Sequence, residues 1–313
     1  MKRIFLVAGT VLVTAAFWLH GASAVQGPSV DSVATGPGNQ YSPSANDVGI
    51  AWEDSHKSER TRVYYRRFGG NRVLVNKNGW NADMGSLTGP HTLIFQQWKT
   101  VHQNRSGIYS YNTETRRTHS LPAPINSDEW EYWPAASASS ILFNRCYVRR
   151  AEGPCKRRGL LLYDSGAAQP VRPLIHDFHN RFVVPGFAGS RYAAWTECDD
   201  KKCVIRYYDM ETKRFHMFEY RGKDTFAPYI DEANKLLYFG QARREGCGRN
   251  VSIRTVQLGK KNSTPLLSLE RGTDLATRIS VAPRNGRTDL YFARYRCGGG
   301  GGGDNLFRLT NIS

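Results

Sequence analysis

The 313-residue chain has no long apolar stretch beyond Leu19. A membrane-spanning helix needs about 20 apolar residues, so nothing after that point is expected to cross a bilayer. No segment sustains 3.6-residue periodicity, which excludes helical bundles and helical solenoids. Catalytic fingerprints are missing as well. There is no H-E-x-x-H and no Walker loop. Gly186-Phe187-Ala188-Gly189-Ser190 does not match the G-x-S-x-G elbow. Negative charge is in short supply: 27 Asp and Glu face 43 Lys and Arg, a net charge of +16. That imbalance predicts attraction to polyanions and says nothing about fold.

What is present begins with a targeting segment. Lys2 and Arg3 are followed by the apolar run Ile4 to Leu19 and by Ala22-Ser23-Ala24. A charged start, an apolar stretch and an A-x-A site predict a signal peptide over 1–24 and export of the remainder. The mature chain is then expected to be secreted, periplasmic or at the cell surface, without a transmembrane segment.

The body of the chain repeats. Short apolar and aromatic runs recur as Ile50-Ala51-Trp52, Leu93-Ile94-Phe95, Ile141-Leu142-Phe143, Tyr192 to Trp195, Leu236 to Phe239 and Leu290-Tyr291-Phe292. Each precedes a polar loop and a second such run, for example Ile205 to Tyr208. Such runs between Gly, Asn and Asp are strands. Asp83, Asp128, Asp177, Asp224 and Asp274 open five of the units, at spacings of about 45 to 50 residues. A period in that range with four strands per unit predicts an all-β, six-bladed β-propeller with antiparallel blades. The last unit stops at its third strand. An open edge would leave unpaired backbone groups, so some part of 25–35 is expected to close it beside Leu306 to Thr310. The domain reading is a segment 25–38 holding that strand, then the propeller over 39–313.

The units resemble the TolB-like six-bladed propeller and its WD-repeat-like β-propeller repeat. Asp224 and Pro228 fit that pattern, followed by Leu237-Tyr238-Phe239. Asp128 and Pro134 fit it, followed by Leu142-Phe143 and Leu162-Tyr163-Asp164. Ile108 to Asn112 and Ile205 to Asp209 match its last part, and Ala282-Pro283-Arg284-Asn285-Gly286 approaches its Ser-Pro-Asp-Gly turn. No repeat keeps that turn intact. The resemblance implies the fold and leaves function open, because propellers host many activities.

Six cysteines in an exported chain predict three disulfides. The repeat frame selects Cys146–Cys155, Cys198–Cys203 and Cys247–Cys297. The first two staple their own hairpins and the third joins the last two blades.

Candidate chemistry falls in three places. The junction aspartates Asp83, Asp128, Asp177, Asp224 and Asp274, with His176 and His179, are candidates for the channel mouth. Each Asp is expected first as a turn cap; together they form a ring of carboxylates. His176-Asp177-Phe178-His179 has metal-ligating residue types, but only one junction carries His, so neither a metal nor another cofactor is expected. Asp128-Glu129-Trp130-Glu131 offers paired carboxylates beside aromatics, as sugar-processing sites do, with a turn flanking a buried Trp133 as the plainer reading.

Positive charge gathers in the loops between second and third strands, read as 53–62, 96–107, 145–159, 196–203, 240–250 and 294–305. Arg145, Arg149, Arg150, Lys156, Arg157 and Arg158 crowd one of them; Arg243, Arg244 and Arg249 are expected on the same rim. Arginine suits bidentate contact with phosphate or carboxylate. The expected function is a monomeric, non-catalytic binding module for a protein or anionic polymer. The second reading is a carbohydrate lyase or hydrolase with carboxylates or His at the mouth.

Overall fold

The structure, a computed structural model, describes residues 28–35, 38–56, 60–99, 106–147, 155, 157–220, 222–243, 250–284, 286–296 and 305–312. The first strand is β1 (Val30–Ala34). Blade 1 follows with β2 (Asn39–Ala45), β3 (Gly49–His56), β4 (Arg60–Arg67) and β5 (Arg72–Leu74). Blade 2 has β6 (Asn81–Leu87), β7 (Thr92–Trp98), β8 (Gly107–Asn112) and β9 (Thr118–Ser120). Blade 3 has β10 (Trp130–Ala136), β11 (Ser140–Cys146), β12 (Arg158–Asp164) and β13 (Val171–Ile175). Blade 4 has β14 (Phe182–Ala188), β15 (Tyr192–Cys198), β16 (Cys203–Asp209) and β17 (Arg214–Phe218). Blade 5 has β18 (Asp224–Asp231), β19 (Leu236–Ala242), β20 (Ser252–Gln257) and β21 (Thr264–Ser268). Blade 6 has β22 (Thr273–Arg284), β23 (Arg287–Arg296) and β24 (Asn305–Leu309).

Each blade is a four-stranded antiparallel sheet, and the innermost strands meet around a ring. The sixth sheet runs β1-β24-β23-β22, so the N-terminal strand closes the last blade as expected. Val30 stands opposite Leu309, Asp31 opposite Arg308 and Ser32 opposite Phe307. Beyond the strand, Thr310 N–H donates to Ser29 O at 2.9 Å.

The core lies between blades rather than on the ring axis. The second strands are apolar on both faces because a blade is buried against a neighbour on each side. Ala51, Val63 and Tyr65 of blade 1 pack on Leu93 and Phe95 of blade 2. Leu142, Leu160 and Leu162 of blade 3 meet Val183, Ala193 and Trp195 of blade 4. Ile50 and Trp52 close the ring against Tyr291 and Leu306 of blade 6. Each fully buried side chain of this size contributes about 1.5–3 kcal/mol of transfer free energy.

Every innermost strand carries a break in register, such as Asp83/Ser86 in β6, Tyr132/Ala135 in β10 and Pro185/Phe187 in β14. Ser42, Met84, Trp133 and Ala227 adopt φ of 45°, 51°, 54° and 54° at four of these bulges. A bulge leaves a residue out of the ladder and re-aims its carbonyl and side chain. Proline is tolerated at these points because the inner edge has no neighbour to receive an N–H. The breaks therefore turn backbone carbonyls toward the channel.

Two of the expected disulfides are present. Cys146–Cys155 has its Cα atoms 5.7 Å apart and Cys198–Cys203 has them 4.0 Å apart. Cys247 and Cys297 lie outside the described residues, as does 1–27. No described helix is long and apolar enough to cross a membrane.

The loop boundaries need correction. The second strands run further than the sequence indicated, to His56, Trp98, Cys146, Cys198, Ala242 and Arg296. Glu53, Gln96, Arg145 and Glu197 are thus ladder residues, not loop residues.

Candidate functional site

The bulges of three blades converge on one side chain. Arg278, from β22 of blade 6, is only 3% exposed. Its Nη1 donates to Ser86 Oγ of blade 2 at 3.2 Å. Its Nη2 donates to Pro134 O of blade 3 at 2.7 Å and to Pro185 O of blade 4 at 3.0 Å. Its Nε donates to Pro185 O at 3.2 Å. Burial pulls this guanidinium down to about 10, and the carboxyls of Glu53 and Asp83 oppose that shift. Arg278 therefore stays charged at neutral pH, tying four inner strands together across the axis.

The guanidinium divides the channel. Trp133, Val184 and Met84 line a pocket on one side of it. Ala135, Gly186 and Ser86, each two residues further along the same strands, line a funnel of about 590 Å³ on the other. The first pocket, about 390 Å³, opens on the face of the loops between second and third strands. Its walls are aromatic: Tyr41, Trp133, Phe182, Phe226 and Tyr295. Trp133 meets Phe182 edge-on at 5.5 Å. Phe182 is 47% exposed at the rim. Trp133 is half-buried, not enclosed as the sequence suggested, because its bulge tips the indole into the pocket.

Two carboxyl groups enter this pocket. Glu53, within β3, is 5% exposed and accepts Met84 N–H at 2.9 Å. Burial, then the charge of Asp83 and a hydrogen bond to it, push the Glu53 carboxyl well above its ordinary range. Asp83 Oδ1 is buried with no geometric donor among the described residues other than that carboxyl. Glu53 thus holds its proton to higher pH than a free carboxyl and is placed to share it with Asp83. Two adjacent carboxyls in low dielectric do not both ionise readily.

The sequence candidates are dispersed. Among the five junction aspartates, only Asp83 is among the described residues lining the mouth pocket. Asp224 accepts Cys203 N–H at 2.9 Å, and Asp177 accepts His179 N–H at 3.0 Å. Asp177 caps its own turn, whereas Asp224 ties the start of β16 in blade 4 to β18 in blade 5; hydrogen bonds from the backbone hold the Asp177 carboxyl below its ordinary range. Asp274 accepts the Tyr295 hydroxyl at 3.1 Å. Asp128 is exposed in the junction before β10. Their ladder positions also differ: Asp224 opposes the last residue of its partner strand, whereas Asp83 lies two residues inside its own. Equal spacing along the chain did not give equal register.

His176 and His179 are exposed, and His179 lies 3.4 Å from Asp177. No group of three His, Cys, Asp or Glu with metal-binding geometry occurs among the described residues. The Glu129 and Glu131 pair is occupied by Arg145. Its Nε lies 3.0 Å from Glu131 and 3.7 Å from Glu129, and its Nη2 donates to Pro124 O and Ile125 O. Arg145 is 11% exposed and so is not part of a basic docking surface. Cross-strand register explains this, since Glu131 and Arg145 are directly opposed. Arg158 packs over Phe178 at 5.8 Å. Arg157 is exposed over Tyr147 at 4.6 Å, and Arg243 is exposed. Arg149, Arg150, Lys156, Arg244 and Arg249 lie outside the described residues.

Glu53 and Arg278 were not singled out from the sequence. A buried Arg in a β-branched strand is a usable signal, but its partners come from distant blades.

No family model matches the chain, and no curated protein matches it by sequence. Solved structures do match by shape. A luciferin-regenerating enzyme aligns with TM-score 0.57 and 10% identity over 92% of this chain and 96% of its own. An oligogalacturonate lyase in complex with manganese aligns with TM-score 0.53 and 9% identity over 91% and 97%. TolB from Acinetobacter baumannii aligns with TM-score 0.51 and 12% identity over 88% of this chain and 63% of its own. The chain spans 40% of the length of a matching prolyl endopeptidase. These likenesses show a TolB-like six-bladed propeller fold, which the TolB protein shares with enzymes.

Proposed function

We propose that the chain is an exported, non-catalytic binding propeller that takes a protein or an anionic polymer on the face of the mouth pocket. The observation that carries this reading is the aromatic wall of that pocket, with Phe182 exposed at its rim. Aromatic side chains offer large contact area at low entropic cost, and such pockets anchor hot-spot contacts. Exposed Arg157 and Arg243 on the same face supply attraction to an acidic partner. The targeting segment at the N-terminus and the two disulfides support export.

The test is binding of the mature chain to immobilised anionic polysaccharides and acidic proteins at several salt concentrations. Phe182→Ala and a variant with Arg149, Arg150, Arg157 and Arg243 changed to Ser should each weaken binding about tenfold or more. Salt should weaken the wild type because exposed charges are screened beyond about 8 Å. Equal binding by all three proteins removes this face as the site.

A second reading rests on the Glu53–Asp83 pair. A carboxyl pushed above its ordinary range beside a second carboxyl is an arrangement that acid–base chemistry on glycans uses. A carbohydrate lyase or hydrolase would lose turnover in Glu53→Gln while keeping ligand binding; a binding module would lose neither.

A further inference from the structure

Blades 1 and 6 meet at a second cleft of about 420 Å³ on the opposite face. It is bounded by the closing strand β1, by the turn after β4, and by the ends of β22 and β24. Three guanidinium groups enter it: Arg66, Arg284 and Arg308. Asp31 is the one carboxylate among its described lining residues and pairs with Arg308, whose Nη1 also lies 3.7 Å from the buried Asp289 behind the cleft. Arg66 Nη2 donates to Val33 O at 3.0 Å. Arg284 stacks on the Phe68 ring at 4.4 Å and makes no hydrogen bond or ion pair among the described residues.

Two buried donors point to a missing acceptor. Tyr291 is 0% exposed and lines the cleft, yet its hydroxyl has no partner among the described residues. Burial raises the Tyr291 hydroxyl well above its ordinary value, so it remains a donor at any working pH. Arg308 Nε is likewise buried without a partner. Buried polar groups are nearly always satisfied, and each exception calls for an explanation. Here every unsatisfied group is a donor, and the local charge is positive. A ligand with several acceptor oxygens and negative charge would satisfy them together.

We propose that this cleft binds a phosphate or sulfate monoester, its oxyanion held by Arg66, Arg284, Arg308 and the Tyr291 hydroxyl. Donors arriving from four different strands suit a tetrahedral oxyanion better than a planar carboxylate, which one guanidinium fork can saturate. The volume falls in the range of small-molecule sites, so it has room for the organic group that carries the oxyanion. Phe68, already faced by Arg284 and stacked on Tyr291 at 6.3 Å, offers that group an apolar wall. The site lies on the face away from the mouth pocket and does not rest on the function proposed there.

The experiment is calorimetric titration of the mature chain, in low-salt buffer free of phosphate and sulfate. The probes are orthophosphate, glucose 6-phosphate, glucose 6-sulfate and plain glucose. Binding of at least one ester and none of glucose is expected. Arg284→Gln should weaken it about tenfold, the loss of a charged hydrogen bond. Tyr291→Phe should weaken it several-fold while leaving the ligand-free unfolding temperature unchanged, because the hydroxyl has no internal partner. Arg157→Ser with Arg243→Ser should leave it intact. Absence of ester binding, or binding that survives both Arg284→Gln and Tyr291→Phe, overturns the proposal. A fall in ligand-free stability of Tyr291→Phe overturns it too, since the hydroxyl would then serve the fold.

Discussion

Arg278→Met is the most informative single change in this molecule. Methionine keeps the apolar stem and removes the guanidinium. The substitution leaves Pro185 O facing the channel without its Arg278 donor, at 3.0 Å in the native structure, and leaves Pro134 O only the longer bond from Ser86 Oγ at 3.3 Å. An unsatisfied buried acceptor costs about 1–3 kcal/mol, which applies in full to Pro185 O and only in part to Pro134 O. Against this stands the relief of burying a guanidinium, whose burial already pulls it to about 10. Breaking one side of a buried charged network usually costs about 3–5 kcal/mol, which is the net expected here. At roughly 2 °C per kcal/mol for a chain of this size, melting should fall by about 6–10 °C.

Buried ion pairs can often be exchanged for apolar residues without loss. That competing outcome is weaker here, because the partners are backbone carbonyls that no substitution removes. Calorimetry and urea unfolding of residues 25–313 would measure the effect. Arg278→Lys should fall between the two, since one ammonium cannot reach acceptors on three blades at once. A Met variant within about 1 kcal/mol of wild type would refute the reasoning. Packing alone would then close the channel.

Glu53→Gln should make stability less dependent on pH. Glu53 has its folded-state carboxyl raised above the ordinary 4.5, so its contribution is fully present below that value and lost as pH rises through the folded one. The variant should therefore gain on wild type as pH rises, by urea midpoints at pH 4 and pH 8; a constant difference would count against the shared proton. Gly186→Ala places a methyl 2.6 Å from Pro228 O and 2.7 Å from the Pro228 ring, so blades 4 and 5 must part. A loss of about 1–3 kcal/mol is expected, and an unchanged urea midpoint would contradict that contact. Deleting 25–34 uncovers the β24 edge and should yield self-association, because exposed edges pair. Light scattering that shows a monomer with an unaltered melting point would sink the closure argument.

The sequence alone determined the architecture, because strand and blade are encoded locally. Ile50-Ala51-Trp52 and its five counterparts announce second strands that are buried on both faces, and every one of them is a second strand. A sixth unit short of one strand required Val30–Ala34 to complete it. Cys146–Cys155 and Cys198–Cys203 followed from cysteines 9 and 5 residues apart within single hairpins. Tertiary structure decided the chemistry. Arg145 belonged by composition to a basic loop, yet one ladder step set it against Glu131 and took it out of solvent. Asp83, Asp224 and Asp274 looked equivalent by spacing, but a shift of one or two residues in register sends a side chain to a different face or depth. Glu53, Asp83 and Arg278 come from blades 1, 2 and 6, and Arg66, Arg284 and Arg308 from blades 1 and 6. A ring brings residues together from its two ends and across its axis, at separations where no spacing rule operates. Local periodicity reports which face of a strand is buried; only closure of the ring reports what that face meets.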